Sequence, residues 1–200
     1  MKLSTARPRG HSRLRQSASH RPTPNELRAA RNKRVRDIIA PGLDVLFVGI
    51  NPGLYTAAVG HHFARPGNRF WPALRGAGYT GRALAPHEER ELLKIGCGIT
   101  NVVDRATATS AELTHTEMIR GARLLTAKVR RYHPKAVVLL GVTTYRVAFQ
   151  RPQARVGRQR EGVAGAALWV LPNPSGLNAH FKPADFARLF RAVRASVRNS

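Results

Sequence analysis

Two short phrases in this chain put a carboxamide where an apolar, strand-like run gives out. Residues 44–55 read DVLFVGINPGLY, an apolar run that climbs to Ile50 and stops at Asn51, Pro52 and Gly53. Residues 168–177 read LWVLPNPSGL, and the same pairing returns at Asn173 and Pro174. A third segment, GITNVVDR at 98–105, ends beside Asp104. A carboxamide offers two donor hydrogens and an acceptor but is no strong base. Joined to one aromatic ring, Phe63, and to the small residues that precede it up to Ala58, it suits a flat, hydrogen-bonding ring such as a nucleobase. A base stacked on an aromatic side chain gains about 1–3 kcal/mol. Leu177, on a Ser-Gly turn that follows two prolines, is the kind of side chain that enters a duplex and fills the place of a base swung out of it.

The charge agrees with such a partner. Lys and Arg number 34 against 11 Asp and Glu, a net charge of +23. Most of the cations are Arg, whose planar fork matches phosphate oxygens. The balance points to nucleic acid first and an anionic membrane second. No basic stretch carries the aromatic face of a membrane-surface helix, so no membrane partner is expected. An Arg-rich composition by itself also fits a soluble protein from a high-GC genome. One cysteine, Cys97, leaves no disulfide framework and no Cys-based zinc or iron–sulfur site. That usage fits a reducing, intracellular setting, and a cytoplasmic location, nucleoid-associated in a bacterium, is expected. The basic N-terminus lacks an apolar stretch behind it and does not read as a secretory signal.

The elements that must position these residues are legible as alternation. Residues 1–22 carry no acid and few apolar residues and read as a basic disordered tail. Residues 23–200 read as one domain. Thr23, Pro24 and Glu26 form a capping box that opens a helix running to Ile39. Strands are expected at 44–50, 99–103, 136–140 and 167–171. Helical segments are expected at 66–77 (with turn), 86–94, 114–132, 142–149 and 183–197. Short, continuously apolar strands between helices imply a mostly parallel sheet covered on both faces. The expected class is therefore α/β, a three-layer α/β/α sandwich with about four to five strands. Such sheets bind ligands beyond the carboxyl ends of their strands, where both Asn-Pro phrases stand.

Three motifs are set aside. GAGYTG at 76–81 matches a dinucleotide fingerprint but follows a helix, so Gly76 and Gly78 read as a helix end and turn. Adjacent His61 and His62 cannot face the same way, and no metal site is expected of them. Glu88 and Glu89 read as the solvated start of a helix.

The phrases GINPGLYTAAVGHHFARPGNRFW, CGITNVVDRAT and LPNPSGL together resemble the mismatch-specific uracil/thymine DNA glycosylase family, within the uracil-DNA glycosylase superfamily. The likeness runs from about Ile39 to Leu177. Gly-His-His before an aromatic resembles the thymine-acting branch, and Asn-Pro-Ser-Gly-Leu the bacterial uracil-acting branch. The resemblance implies that Asn51 positions the attacking water. Asp104, at a strand's carboxyl end in a chain poor in acids, is a reserve candidate for that task, and an ion pair with Arg105 or another Arg reads equally well. It implies that Phe63 stacks on the flipped base while Ile50, Gly53, Thr56 and Asn173 complete the pocket. Ser175 and Asn173 would contact the backbone beside the lesion, and Gly176 and Leu177 would form the wedge. The partner implied is double-stranded DNA carrying U:G or a related mismatch, bound by a monomer, with no cofactor and no catalytic lysine for a lyase step. A binder that kept the fold and lost the chemistry is the alternative. Two positions depart from the family pattern: Arg65 replaces a His or Gly, and Ala179 replaces an Arg after the wedge. Thr56, Ala57 and Ala58, near the base's C5 position, leave thymine acceptance open.

Deleting residues 1–22 is expected to flatten the salt dependence of duplex binding. Each phosphate that the protein no longer neutralises lowers the log–log slope by about 0.9. A titration across salt concentrations with and without the segment measures it, and an unchanged slope makes the tail a bystander.

Overall fold

The computed structural model describes residues 21–176 and 181–198. Nearly all of the expected basic tail, and with it Leu177 and Ala179, lie outside the described residues. The strands are β1 (Val45–Gly49), β2 (Cys97–Asn101), β3 (Ala136–Leu140), β4 (Gly157–Arg158) and β5 (Ala167–Leu171). The helices are α1 (Pro24–Ala29), α2 (Leu54–Val59), α3 (Phe70–Gly76), α4 (His115–Tyr132), α5 (Val142–Ala148) and α6 (Pro183–Arg198). One sheet has the order β2-β1-β3-β5-β4, with the first four strands parallel and β4 antiparallel at the edge.

Every residue of β1, β2 and β3 is buried, and β1 and β3 accordingly carry no polar side chain. Successive side chains still point to opposite sides. Leu46, Val48, Val137, Leu139, Leu168 and Val170 pack under α4 and α5, against Met118, Leu125 and Tyr145. Val45, Phe47, Ile99, Val138 and Leu140 pack under α3 and α6, against Phe70, Leu74, Phe186 and Phe190. Phe47 centres that second layer, stacked on Phe190 at 5.2 Å and edge-on to Phe70 at 5.3 Å. The α/β/α sandwich is thus the observed architecture.

The strand order has a consequence for function. The chain leaves β1 toward β2 on one side, whereas it leaves β3 toward β5 on the other. Between β1 and β3 the connections diverge, and an open α/β sheet forms its ligand crevice at such a switch point.

Several local expectations change, and α2 (Leu54–Val59) is a helix with no counterpart among the expected ones. The first helix ends at Ala29 rather than Ile39, because Asn32 turns left-handed (φ 65°) and the chain continues extended. Val35 and Ile38, spaced as for a helix, serve elsewhere: Val35 joins Ala30, Ala57 and Ala106 in a small cluster, and Ile38 bridges Ile99 on the open edge of β2. That bridge covers backbone groups an edge strand would leave unpaired. The second strand lies two residues earlier than expected, because Gly96 (φ 69°) ends the preceding 3-10 stretch, Pro86–Ile95, and starts the strand at Cys97. Within that stretch Glu88 does cap the start, receiving the Ala85 N–H at 2.9 Å, but Glu89 is buried rather than solvated. Strand β4 had no counterpart among the expected strands.

α4 lies so close to the chain after β2 that a Cβ on Gly121 would stand 2.3 Å from the Val102 carbonyl oxygen. Gly121→Ala is expected to cost about 1–3 kcal/mol through overpacking. In a domain of this size that lowers Tm by about 2–4 °C per kcal/mol, read by thermal unfolding.

Candidate active site

A cavity of about 400 Å³ opens at the carboxyl ends of the strands, between the loops that follow β1, β2 and β5. Of the residues singled out from the sequence, Ile50, Asn51, Gly53, Thr56, Phe63, Asn173 and Ser175 line it. The two Asn-Pro phrases, far apart in the chain, therefore do face one space. Gly176 stands just outside, its carbonyl receiving Arg69 Nη2 at 3.1 Å.

The orientation of the Asn51 amide is set by its neighbours. Its nitrogen donates to the Arg105 carbonyl at 2.9 Å, to Thr107 Oγ1 at 2.7 Å and more weakly to the Pro52 carbonyl at 3.3 Å. Thr107 spends its own hydrogen on the Thr109 carbonyl at 2.7 Å, so toward Asn51 it can only accept. Two carbonyls and a committed hydroxyl leave one assignment, with NH2 toward the loop after β2 and Oδ1 free of any donor among the described residues. Asn51 presents an acceptor to the cavity.

A second amide accompanies it. Asn101, the last residue of β2, lines the cavity and is 6 % exposed. Its side chain makes no hydrogen bond with the described residues. The amide therefore presents its donors and its acceptor to the cavity. Parallel register sets Gly49 opposite Asn101, and a Cβ on Gly49 would lie 2.5 Å from Asn101 Oδ1 and 3.4 Å from the Phe63 ring. Only glycine leaves room there. Phe63 is half-buried, with Phe70 stacked behind it at a centroid distance of 4.1 Å. His62 forms part of the wall, with Nε2 on the Arg36 carbonyl at 3.1 Å. Burial pushes its imidazole below the ordinary histidine pKa, against the pull of the Glu89 charge, so it is a neutral ring at pH 7.

Residues 36–194 match the Uracil DNA glycosylase superfamily. The chain belongs to that superfamily. Membership carries a DNA glycosylase role, a hydrolase of DNA repair. The fold agrees: the solution NMR structure of a candidate uracil DNA glycosylase from Methanosarcina acetivorans superposes with a TM-score of 0.54 at 16 % identity, covering 82 % of this chain and 98 % of that one.

Within this glycosylase domain the loops are tied together by a residue that carries no signal in the sequence. Arg69 donates its backbone N–H to the Pro174 carbonyl at 2.9 Å and its guanidinium to the carbonyls of Gly176 and Phe181, lying over the Phe186 ring. Asn173 Oδ1 receives the Ser175 N–H at 3.0 Å, an Asx turn that shapes the second jaw. Arg65 stands exposed at the cavity rim. Thr56 alone of the three small residues faces the cavity, since Ala57 and Ala58 pack toward Ala30 and Val35. Asp104 does not join Asn51. It lines a neighbouring depression of about 540 Å³ with Leu124 and several cations, and Arg105 pairs instead with Glu117 at 2.8 Å. No carboxylate lines the Asn51 cavity among the described residues. Nor do three or more His, Cys, Asp or Glu side chains gather there as a metal site would require. Asn101 was missed although its signal, an asparagine closing an apolar run, was the one used for Asn51.

Thr107→Val removes the hydroxyl that fixes the Asn51 amide. It is expected to slow single-turnover base release about fivefold, the worth of one hydrogen bond of roughly 1 kcal/mol, while Thr107→Ser stays near wild type. Equal rates for all three would show that the amide needs no such anchor.

Proposed function

We propose that the protein is a monofunctional, mismatch-directed glycosylase that takes uracil, and related pyrimidines, from opposite guanine in double-stranded DNA and leaves an abasic site. The observation that carries this reading is the free Oδ1 of Asn51 set beside an unpaired, buried Asn101 amide and the Phe63 ring in one cavity. The Asn101 amide complements uracil: its N–H matches the O4 acceptor and its oxygen the N3–H donor. Phe63, backed by Phe70, offers the stacking surface. A base reaches the cavity only by leaving the helix, since chemistry on it inside a duplex is sterically closed.

Water held by Asn51 Oδ1 bonds to the sugar carbon as the carbon–nitrogen bond breaks; the base leaves with the bonding pair, and the proton that the water sheds passes to the departed base anion or to solvent. An amide acceptor is a weak base, and it suffices because the bond to the base is largely broken before the water bonds. The developing positive charge sits on the sugar, and the negative charge is spread over the departing uracil. Hydrogen-bond donors fixed in advance around that anion, the Asn101 N–H among them, stabilise it without reorganising. Leu177, which follows Ser175 and Gly176 in the sequence, supplies the wedge in this reading, and Arg65 and the surrounding cations hold the backbone. Thr56 at the cavity wall sets how well a C5 methyl is accepted.

The test is a duplex labelled on the strand that carries one U:G pair, incubated with protein and then treated with alkali. Wild type is expected to cleave it, and faster than U:A. Asn51→Ala is expected to lose cleavage by several orders of magnitude with duplex affinity nearly unchanged. Binding without base release by the wild type would make the protein a non-catalytic binder, and parallel loss of binding in Asn51→Ala would make Asn51 a structural residue.

A further inference from the structure

Glu89 lies 5 % exposed in a chain with 34 cations, yet neither Lys nor Arg reaches it among the described residues. Its partners are a backbone N–H and an imidazole. Oε2 receives the His62 backbone N–H at 2.7 Å, and Oε1 meets His61 Nδ1 at 3.0 Å. A carboxylate can only accept, so His61 carries its hydrogen on Nδ1. The two hydrogen bonds grip both residues immediately before Phe63, from a 3-10 stretch well downstream in the chain.

Phe63 needs holding. Its φ is 53°, a left-handed conformation disfavoured for any residue with a Cβ. Such conformations persist where the surroundings over-determine them. On the far side the Phe70 ring stacks against Phe63. On the near side the holders converge on His62: Trp71 Nε1 donates to its carbonyl at 3.2 Å, its Nε2 meets the Arg36 carbonyl, and its N–H is taken by Glu89. Of these, only Glu89 also reaches His61, so it alone restrains the turn over two residues.

We propose that Glu89 is a positioning residue of this glycosylase: its buried carboxylate grips the His61–His62 turn and thereby sets the Phe63 ring against the base cavity. Glu89 touches neither base nor water and acts through Phe63. The inference rests on the proposed function, because the consequence is read as base release.

The experiment is a double-mutant cycle on full-length protein, with single-turnover release from a U:G duplex and affinity for an undamaged duplex measured in parallel. Glu89→Ala is expected to slow release by about 10- to 100-fold, the penalty of a roughly 1 Å misplacement, with undamaged-duplex affinity unchanged. Glu89→Gln, whose amide oxygen still accepts the His62 N–H, is expected to recover most of the rate. In a Phe63→Ala background, Glu89→Ala is expected to cost nothing further. If Glu89→Ala does not fold, His61→Ala removes one hydrogen bond at a half-exposed side chain and is expected to show a smaller loss that also vanishes with Phe63→Ala. An undiminished rate in these variants, or a loss that persists in full without the Phe63 ring, overturns the assignment while leaving the glycosylase reading intact. A wild type that releases no base from any duplex overturns both.

Discussion

The Asn51 amide can turn its oxygen to the cavity only because acceptors on two loops compete for its nitrogen. That arrangement reaches well beyond Asn51. The Arg105 carbonyl is in place because the Arg105 guanidinium is held by Glu117 and by the Glu112 carbonyl. Glu117 is at the same time the capping residue of α4, receiving the Thr114 N–H at 2.9 Å. The Arg105 hydrogen bonds, helped by that backbone N–H, hold the Glu117 carboxyl down at about 2. It stays ionised across any working pH, and a chain of hydrogen bonds joins the start of α4, the loop after β2 and the Asn51 amide.

The sheet supplies the second constraint. Asn51 and Asn173 each stand two residues past the end of a parallel strand, and Asn101 is the last residue of a third. Parallel strands in level register send their carboxyl ends to the same edge, so three amides meet there although no two are neighbours in sequence. Arg69 then closes the ring by fastening the loop after β5 to the chain that leads into α3.

How much of this was legible follows from the range of the forces involved. The strands β1, β3 and β5 and the helices α4 and α6 announce themselves through local pattern and capping, and they came out within a residue or so. The two Asn-Pro phrases were legible as jaws because a strand's carboxyl end is a local feature. Val35 and Ile38 misled because helical spacing is also compatible with an extended segment whose apolar residues find separate partners. β2 was displaced because its start is set by a left-handed glycine, Gly96, and its end by register with β1. Glu89 and Arg69 were missed for a common reason: each is charged, each draws its meaning from partners reached only through the tertiary fold, and an isolated Glu or Arg in a sequence defaults to a solvated surface. Asn101 carried the same local signal as Asn51, a strand's carboxyl end, but without a following proline and with the strand expected to run on to residue 103 it passed as an interior strand residue. Asp104 shows the converse: an acid at a strand's end attracted a catalytic reading, and the fold turned it to the neighbouring depression.

That displacement of Asp104 makes physical sense. If the base departs as an anion, an ionised carboxylate in the cavity wall would oppose it. Two like charges 4 Å apart at an effective dielectric of 20 repel by about 4 kcal/mol, which is a factor of roughly a thousand in rate. A strong base for the water would thus cost at the leaving group more than a weakly bonded nucleophile could regain. The wall instead contains amides, an aromatic plate and an imidazole that burial keeps neutral, and the one charged side chain among the described residues that line it is a cation, Arg65 at the rim. The same field that draws in the phosphate backbone favours negative charge where the base leaves. Binding and chemistry therefore ask for the same sign of charge, and a cavity lined by no acid among the described residues, in a strongly basic protein, serves both.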